Sequence, residues 1–158
     1  MTSKNESEKI HGTCIAAGSK GVLLLGASGS GKSDLALRLI SRGAVLVADD
    51  VVMLRKEEDY IIANADTATR GLLEVRGVGL VHYPVANHIP VVLVVRLVVQ
   101  EKVERLPTPA VESLLGVSIP AISISGIEAS SPDKVHAALH ALLRNRLHTG
   151  FLPDAAKT

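Results

Sequence analysis

The chain has 158 residues, a formal net charge of +1, and apolar residues at 47% of its positions but aromatic residues at only 2%. A chain of this length buries about two-thirds of its unfolded surface, so the core must consist of Val, Leu, Ile and Ala. The charge excludes the basic footprint of a nucleic-acid-binding or membrane-surface protein. The apolar stretch 91–99 is too short to span a bilayer, and the lone Cys14 has no internal disulfide partner. We therefore expect a cytoplasmic protein without nucleic-acid or membrane partners.

The pattern of apolar runs and turn residues predicts one domain over residues 10–148, a disordered segment over 1–9 and a C-terminal tail over 149–158. Strands are predicted at 13–17, 22–25, 44–48, 51–55, 60–63, 72–75, 80–85, 91–99 and 119–125. Two amphipathic helices are predicted, at 32–42 and 132–147. Strands that bracket two helices, with a hairpin among them, indicate an α/β domain whose sheet mixes parallel and antiparallel pairs.

A phosphate-binding loop is the most informative motif. Residues 26–33 match G-x-x-x-x-G-K-[ST] at every fixed position, between an apolar strand and an amphipathic helix. Glycines let backbone N–H groups converge on a phosphate chain, and the helix N-terminus adds its positive end. The alternative is an ordinary glycine-rich turn, but the complete motif in these flanks favours a nucleoside triphosphate site. The residues expected to bind it are Gly26, Ala27, Ser28, Gly29, Ser30, Gly31, Lys32 and Ser33.

Two adjacent acids follow the next strand. Asp49 and Asp50 end the apolar run 44–48, which comes directly after the phosphate-loop helix. An apolar strand that ends in acids beside a phosphate loop is where Mg²⁺ coordination and base catalysis are expected. Aspartates at a strand end are also common turn formers, but the preceding phosphate loop favours the functional interpretation.

Three further residues are weaker candidates. Glu74 is a carboxylate among apolar neighbours and would complete a metal shell, and Arg76 would neutralise charge on a transferring phosphoryl group. Each is equally compatible with an ordinary strand edge or glycine turn. His11 lies just before the first predicted strand. By itself, a lone histidine near a terminus most simply has no role in the site.

In order and nearly in spacing, the motifs at 11–12, 26–33, 46–51 and 73–79 resemble the catalytic domain of bacterial HPr kinase/phosphorylase, over about residues 10–100. Members of that family are serine kinases of the phosphotransferase-system carrier HPr, and they also remove the phosphate by phosphorolysis. The resemblance implies a P-loop domain similar to phosphoenolpyruvate carboxykinase. It also implies ATP and Mg²⁺ as cofactors and HPr, or an HPr-like carrier, as partner.

By position, the resemblance makes Asp50 the base that takes the serine proton during transfer and the acid that returns it in the reverse reaction. It also makes His11 a catalytic-site histidine. Together, the residues and the resemblance predict Asp50, His11, Lys32 and Arg76 as catalytic and Ser33, Glu74 and Asp49 as metal ligands.

The last third departs from the family pattern. Family members have an additional N-terminal domain, expected to be missing here as in the short form of α-proteobacteria, and an arginine-containing loop before the C-terminal helix. The equivalent residues 124–132 contain no arginine and include Glu128. This loss leaves open whether phosphorolysis and the family's hexameric assembly are retained, and Arg70 and Arg76 are the candidates to replace the arginine. A homo-oligomer is also left open.

Three functions therefore stand at this point. The first is a Mg²⁺-dependent protein-serine kinase acting on HPr or an HPr-like carrier. The second is a small-molecule kinase, which needs a closed acceptor pocket, and the third is a non-enzymatic regulator that binds ATP. Retention of the paired acids counts against the third, because nucleotide binding alone needs no base.

Overall fold

Apolar runs fold into eleven strands and two α-helices over residues 6–153, the part of the chain that the computed structural model describes. The strands are β1 (Ser7–His11), β2 (Thr13–Ala17), β3 (Lys20–Leu25), β4 (Val45–Ala48), β5 (Val51–Glu57), β6 (Tyr60–Ala65), β7 (Leu72–Val75), β8 (Gly79–His82), β9 (Ile89–Leu97), β10 (Val111–Leu114) and β11 (Val117–Ile124). The helices are α1 (Lys32–Ser41) and α2 (Ser131–Arg144), and a short 3₁₀ helix covers Gln100–Lys102. Neither α-helix is long and apolar enough to cross a membrane.

Nine of these strands form one sheet, and β7 and β8 pair separately as a hairpin. The main order is β1-β5-β6-β9-β3-β2-β4, with β11 also paired to β9 and β10 paired to β11. Strand β9 is parallel to β3 and β11 and antiparallel to β6. Its nearly continuous apolar sequence suits this central place, since both faces of the strand are covered. The prediction of an α/β fold with a mixed sheet is confirmed.

Side chains that alternate along the central strands build two cores, one on each face of the sheet. On β9, Leu93 and Val95 join the core beneath α1 and α2, whereas Val94 joins the opposite core. Helix α1 contributes Leu35 and Leu39 to the first core. The two cores hold β3 rigidly between them, which fixes the point where the phosphate loop begins.

The structure differs from the sequence prediction at both ends. Residues 1–5 and 154–158 lie outside the described part, but Ser7–Lys9 are not disordered, because they pair with β5 as part of edge strand β1. Their side chains are largely exposed, so they carry no hydrophobic signal. In the predicted tail, Phe151 and Leu152 are buried in the core under the helices. The Ala110 N–H donates to the Phe151 carbonyl at 3.2 Å, which ties this segment to the domain.

Candidate active site

The phosphate loop connects β3 to α1 and adopts the left-handed conformations that its sequence requires. Gly29 and Gly31 have φ angles of 83° and 100°, which side-chain-bearing residues rarely adopt. Gly31 is the N-cap of α1, and no side chain caps the helix, so its first N–H groups can bind an anion. The place of a Cβ on Gly29 has no atom within 4 Å. The loop therefore presents an open glycine cradle at a positive helix end, which fits a phosphate chain.

Lys32, the first residue of α1, is folded back over this loop. Its Nζ donates to the carbonyl oxygens of Gly26 at 2.8 Å and Ala27 at 3.2 Å. Two neutral acceptors hold a lysine less strongly than phosphate oxygens do, so the ammonium can exchange these carbonyls for an incoming anion.

Asp49 is the best-anchored acid of the site and is only 7% exposed. Ser33 Oγ donates to Asp49 Oδ1 at 2.7 Å, and Thr13 Oγ1 donates to the same oxygen at 2.9 Å. The Glu74 N–H donates to Asp49 Oδ2 at 3.3 Å. Donors from β2, α1 and β7 thus converge on one carboxylate, as a buried charge requires. Sequence reasoning missed Thr13.

Asp50 follows with its backbone in the left-handed region, at φ 71°. Side chains of successive residues in extended backbone point to opposite faces. The left-handed Asp50 interrupts that alternation, and both acids line one cleft. His11 ends β1 beside Asp50, and its Nδ1 lies 3.9 Å from Asp50 Oδ1, with both side chains mostly exposed.

Gly12 allows this junction between β1 and β2. Its N–H donates to the Asp50 carbonyl at 3.2 Å. A Cβ on Gly12 would lie 3.0 Å from the Leu24 carbonyl oxygen, which is tighter than ordinary packing. A glycine at this position therefore lets the His11 and Asp50 segments lie side by side.

The cleft has a volume of about 600 Å³, which is in the range of ligand sites, and two unlike sides. We call residues 28–33 with Asp49 the phosphate wall, and residues 74–80, from the β7–β8 hairpin, the hairpin wall. The residues that line the cleft are Thr13, Ser28, Gly29, Gly31, Lys32, Ser33, Asp34, Leu37, Asp49, Asp50, Thr69, Leu72, Glu74, Val75, Arg76, Leu80 and Ile127.

Most of the predicted site residues meet in this cleft, but four do not line it. These are Gly26 and Ala27, whose carbonyl oxygens accept from Lys32, together with Ser30, and His11, which lies beside Asp50. Proximity in the structure does not assign chemistry, so the catalytic and metal-binding roles stay predictions.

Two arginines near the cleft differ in whether other residues already bind their side chains. Arg76 is exposed, lines the cleft, and makes no hydrogen bond or ion pair within residues 6–153. Arg70 instead donates to Asn87 Oδ1 at 2.6 Å and does not line the cleft. Of the two proposed substitutes for the family's loop arginine, only Arg76 lines the cleft.

Arg38 is a second residue that sequence reasoning missed. From α1 it donates to the carbonyl oxygens of Gly126 and Glu128 in the β11–α2 loop and to Asp34. A Cβ on Gly126 would lie 2.6 Å from the Ser30 carbonyl oxygen, so this loop packs directly against the phosphate loop. No local motif signals the role of Arg38 in this packing, because its two partners in the β11–α2 loop are about 90 positions away.

A second cavity, of about 510 Å³, lies away from these residues. Tyr60, Ile62, Glu57 and His88 are among its lining residues. The neighbouring Arg55 and then His88 hold the pKa of the Glu57 carboxyl below its usual value. None of the predicted site residues lines this cavity.

The chemistry of the donors fits a magnesium–nucleotide complex. Among the residues that the structure describes, no group of three His, Cys, Asp or Glu side chains forms a ready-made metal cage. Mg²⁺ seldom uses such a cage and is usually held by one or two carboxylates together with substrate phosphates. Ser33, Asp49 and the neighbouring Glu74 offer this oxygen set beside the glycine cradle.

A phosphate loop at the end of a central strand, in a mixed α/β sheet with paired acids beside it, defines a P-loop kinase-type fold. The chain belongs to the HPr Serine kinase C-terminal domain family, whose model matches residues 3–139. The Hpr(Ser) kinase/phosphatase from Coxiella burnetii is structurally similar, with a TM-score of 0.72 at 30% identity over 87% of this chain and 89% of that one.

Two curated relatives are similar over slightly less than half of the chain. An HPr kinase/phosphorylase of Caldicellulosiruptor bescii is 48% identical over 71 residues, which are 44% of this chain and 23% of the relative. One of Clostridium acetobutylicum is 43% identical over 76 residues, 48% of this chain and 25% of the relative. The matched stretch therefore spans about a quarter of these relatives. The similar proteins are named as kinases.

Proposed function

We propose that this domain is a Mg²⁺-dependent protein-serine kinase that transfers the γ-phosphate of ATP to HPr or an HPr-like phosphotransferase-system carrier. The observation that carries the proposal is the cleft shared by the glycine cradle, Lys32 and both acids of the 49–50 pair. A simple nucleotide holder has no need for an exposed carboxylate next to the phosphates. Since the ATP and the carrier are cytoplasmic, the proposal includes that location.

In this reaction Asp50 is the general base. A serine hydroxyl is a poor nucleophile until a carboxylate within hydrogen-bond distance accepts its proton. As the serine oxygen bonds to the γ-phosphorus, the bond from phosphorus to the ADP oxygen breaks and the proton passes to Asp50. The exposure of Asp50 supports this assignment, because an acceptor from another protein must reach it.

Residues on the two walls of the cleft would neutralise the negative charge of the phosphates. Lys32 would leave the carbonyls that it now contacts and bind the phosphates, and Arg76 would approach the transferring group from the hairpin wall. Ser33, Asp49 and Glu74 would hold Mg²⁺. When bound, the metal supplies positive charge to the phosphate oxygens.

His11 would act on Asp50 and not on the phosphates. The 3.9 Å separation between the two side chains is too long for a direct hydrogen bond but suits a bridging water. Such a contact would orient the carboxylate towards the acceptor.

We do not extend the proposal to efficient phosphorolysis, because the β11–α2 loop has no arginine and carries Glu128 instead. The reverse reaction is measured by incubating phosphorylated carrier with inorganic phosphate and following pyrophosphate release.

The transfer assay uses purified protein, Mg²⁺, γ-labelled ATP and HPr-type carriers. We expect label on a carrier serine, and a decrease of at least about 100-fold in Asp50→Asn, the usual scale for loss of a general base. Asparagine tolerates the left-handed backbone at this position, so the variant tests chemistry and not folding. Asp59→Asn, in the exposed β5–β6 turn, is the matched control and should label normally. Equal labelling by wild type and Asp50→Asn would remove Asp50 from its role.

A further inference from the structure

We propose that Thr13 is a positioning residue that sets the Asp49 carboxylate for Mg²⁺, an inference that rests on the proposed kinase function. Thr13 is fully buried on β2 and donates to Asp49 Oδ1 at 2.9 Å. It is the first residue of a strand whose next three residues, 14–16, are buried and apolar. A buried hydroxyl in such a strand is costly unless it is hydrogen-bonded, and here its proton is directed at the acid of the phosphate wall.

The two hydroxyls that reach Asp49 Oδ1 are not equivalent. Ser33 belongs to the phosphate-loop motif and is itself a predicted metal ligand. One proton and two lone pairs allow a hydroxyl to donate to a carboxylate while it binds a metal, so Ser33 serves two partners once nucleotide is present. The Thr13 side chain is fully buried, and its hydroxyl donates to Asp49. We therefore expect this contact to be the same with and without ligand.

The sheet fixes Thr13 independently of the phosphate loop. Cys14 pairs with Ala48 in the antiparallel β2–β4 ladder. Thr13 precedes Cys14 and Asp49 follows Ala48, so these two residues come next to each other at the end of that ladder. The opposite carboxylate oxygen accepts from the Glu74 N–H at 3.3 Å, which is a longer and weaker contact. Removing the Thr13 hydroxyl would leave Asp49 held by the weak contact and by Ser33, the residue that must also turn to the metal.

The experiment measures the affinity of a fluorescent ATP analogue by titration, once in EDTA and once in saturating Mg²⁺. For Thr13→Val, which keeps the shape and removes the hydroxyl, we expect the Mg²⁺-dependent gain in affinity to decrease by about tenfold, the lower end for loss of an outer partner of a metal-binding group. Affinity in EDTA should be unchanged. Thr13→Ser should retain most of the gain.

Cys14→Ala is the matched control, because Cys14 is equally buried on the same strand but belongs to the core on the other side. It is expected to lower thermal stability and leave the Mg²⁺-dependent gain unchanged. If Thr13→Val is too unstable to titrate, Thr13→Ala and Thr13→Ser are compared, since both lack the methyl group and only serine keeps the hydroxyl.

The outcomes separate this inference from the proposed function. If wild type binds no nucleotide, both are wrong. If wild type shows a Mg²⁺-dependent gain that Thr13→Val retains, or that Thr13→Ala and Thr13→Ser share equally, the kinase proposal stands and the role of Thr13 is overturned. Equal losses in EDTA and in Mg²⁺ would likewise reduce Thr13 to a structural residue.

Discussion

The two walls of the cleft differ in how firmly contacts with the rest of the protein hold their side chains. The phosphate wall is anchored from several elements, since Asp49 accepts hydrogen bonds from β2 and α1 as well as from the Glu74 N–H of the hairpin wall, and Arg38 fastens the supporting β11–α2 loop to α1. The hairpin wall belongs to a separate two-stranded sheet. Its Arg76 has no partner within the described residues, and Val78 and Leu80 are 73% and 67% exposed.

Under the proposed function, we expect each wall to serve a different substrate. Tight electrostatic recognition of phosphates and metal requires donors that are already in place, and the phosphate wall provides them. A protein acceptor brings its own surface, and exposed apolar side chains beside an unpaired arginine are typical of a contact surface. We therefore expect changes in the phosphate wall to affect nucleotide binding, and changes in the hairpin wall to affect transfer.

The largest effect is expected from Lys32→Ala. It removes the ammonium group of the phosphate wall, so both nucleotide affinity and transfer should decrease, with kcat/KM lower by about 1000-fold, the upper range for loss of one stabilising donor. Titration with a labelled nucleotide and the carrier assay measure the two quantities. Lys102→Ala, in the exposed 3₁₀ helix, should change neither. Unchanged affinity in Lys32→Ala would break the assignment of nucleotide binding to this wall.

The sequence predicted the local motifs of the site better than the residues that support them, for a physical reason. The phosphate loop and the 49–50 pair are local motifs, so residue spacing along the chain is enough to predict them. The structure brings both motifs into one cleft. Thr13 and Arg38 act through partners that are distant in the chain, so no local pattern reveals them. Ile127, 79% exposed in the cleft, gives no periodic signal at all.

The same distinction between local and distant signals explains which strands could be predicted from the sequence. Strongly apolar segments such as β9 were predicted because burial on two faces leaves a clear sequence pattern. The edge strand β1 and the short β10 were missed, since their existence depends on pairing with β5 and β11 and not on their own hydrophobicity. The burial of Phe151 likewise depends on a docking site that the chain forms elsewhere.

A smaller, more selective effect is expected from Arg76→Ala. The side chain is exposed and unpaired, so thermal stability and nucleotide affinity should stay near wild type. The transfer rate should decrease by about 10-fold to 100-fold, if the guanidinium neutralises charge only as the phosphoryl group moves. Arg76→Lys should recover part of the rate. Arg105→Ala, at an exposed position outside the cleft, controls for the loss of one positive charge. A loss of nucleotide affinity equal to the loss of rate would place Arg76 with the phosphate wall.

The smallest effects concern stability, and they compare the supports of the two walls directly. Ser131 is fully buried at the start of α2, and its Oγ donates to the Ser125 carbonyl at 2.6 Å. Ser131→Ala leaves that carbonyl without its donor and should lower the free energy of unfolding by about 1–2 kcal/mol, or about 2–8 °C in Tm for a domain of this size. Val78→Ala, at the exposed tip of the hairpin, should change it by less than about 0.5 kcal/mol. Thermal unfolding of the two variants side by side measures this difference in stability. Equal destabilisation would mean that the hairpin wall contributes as much to stability as the support of the phosphate wall.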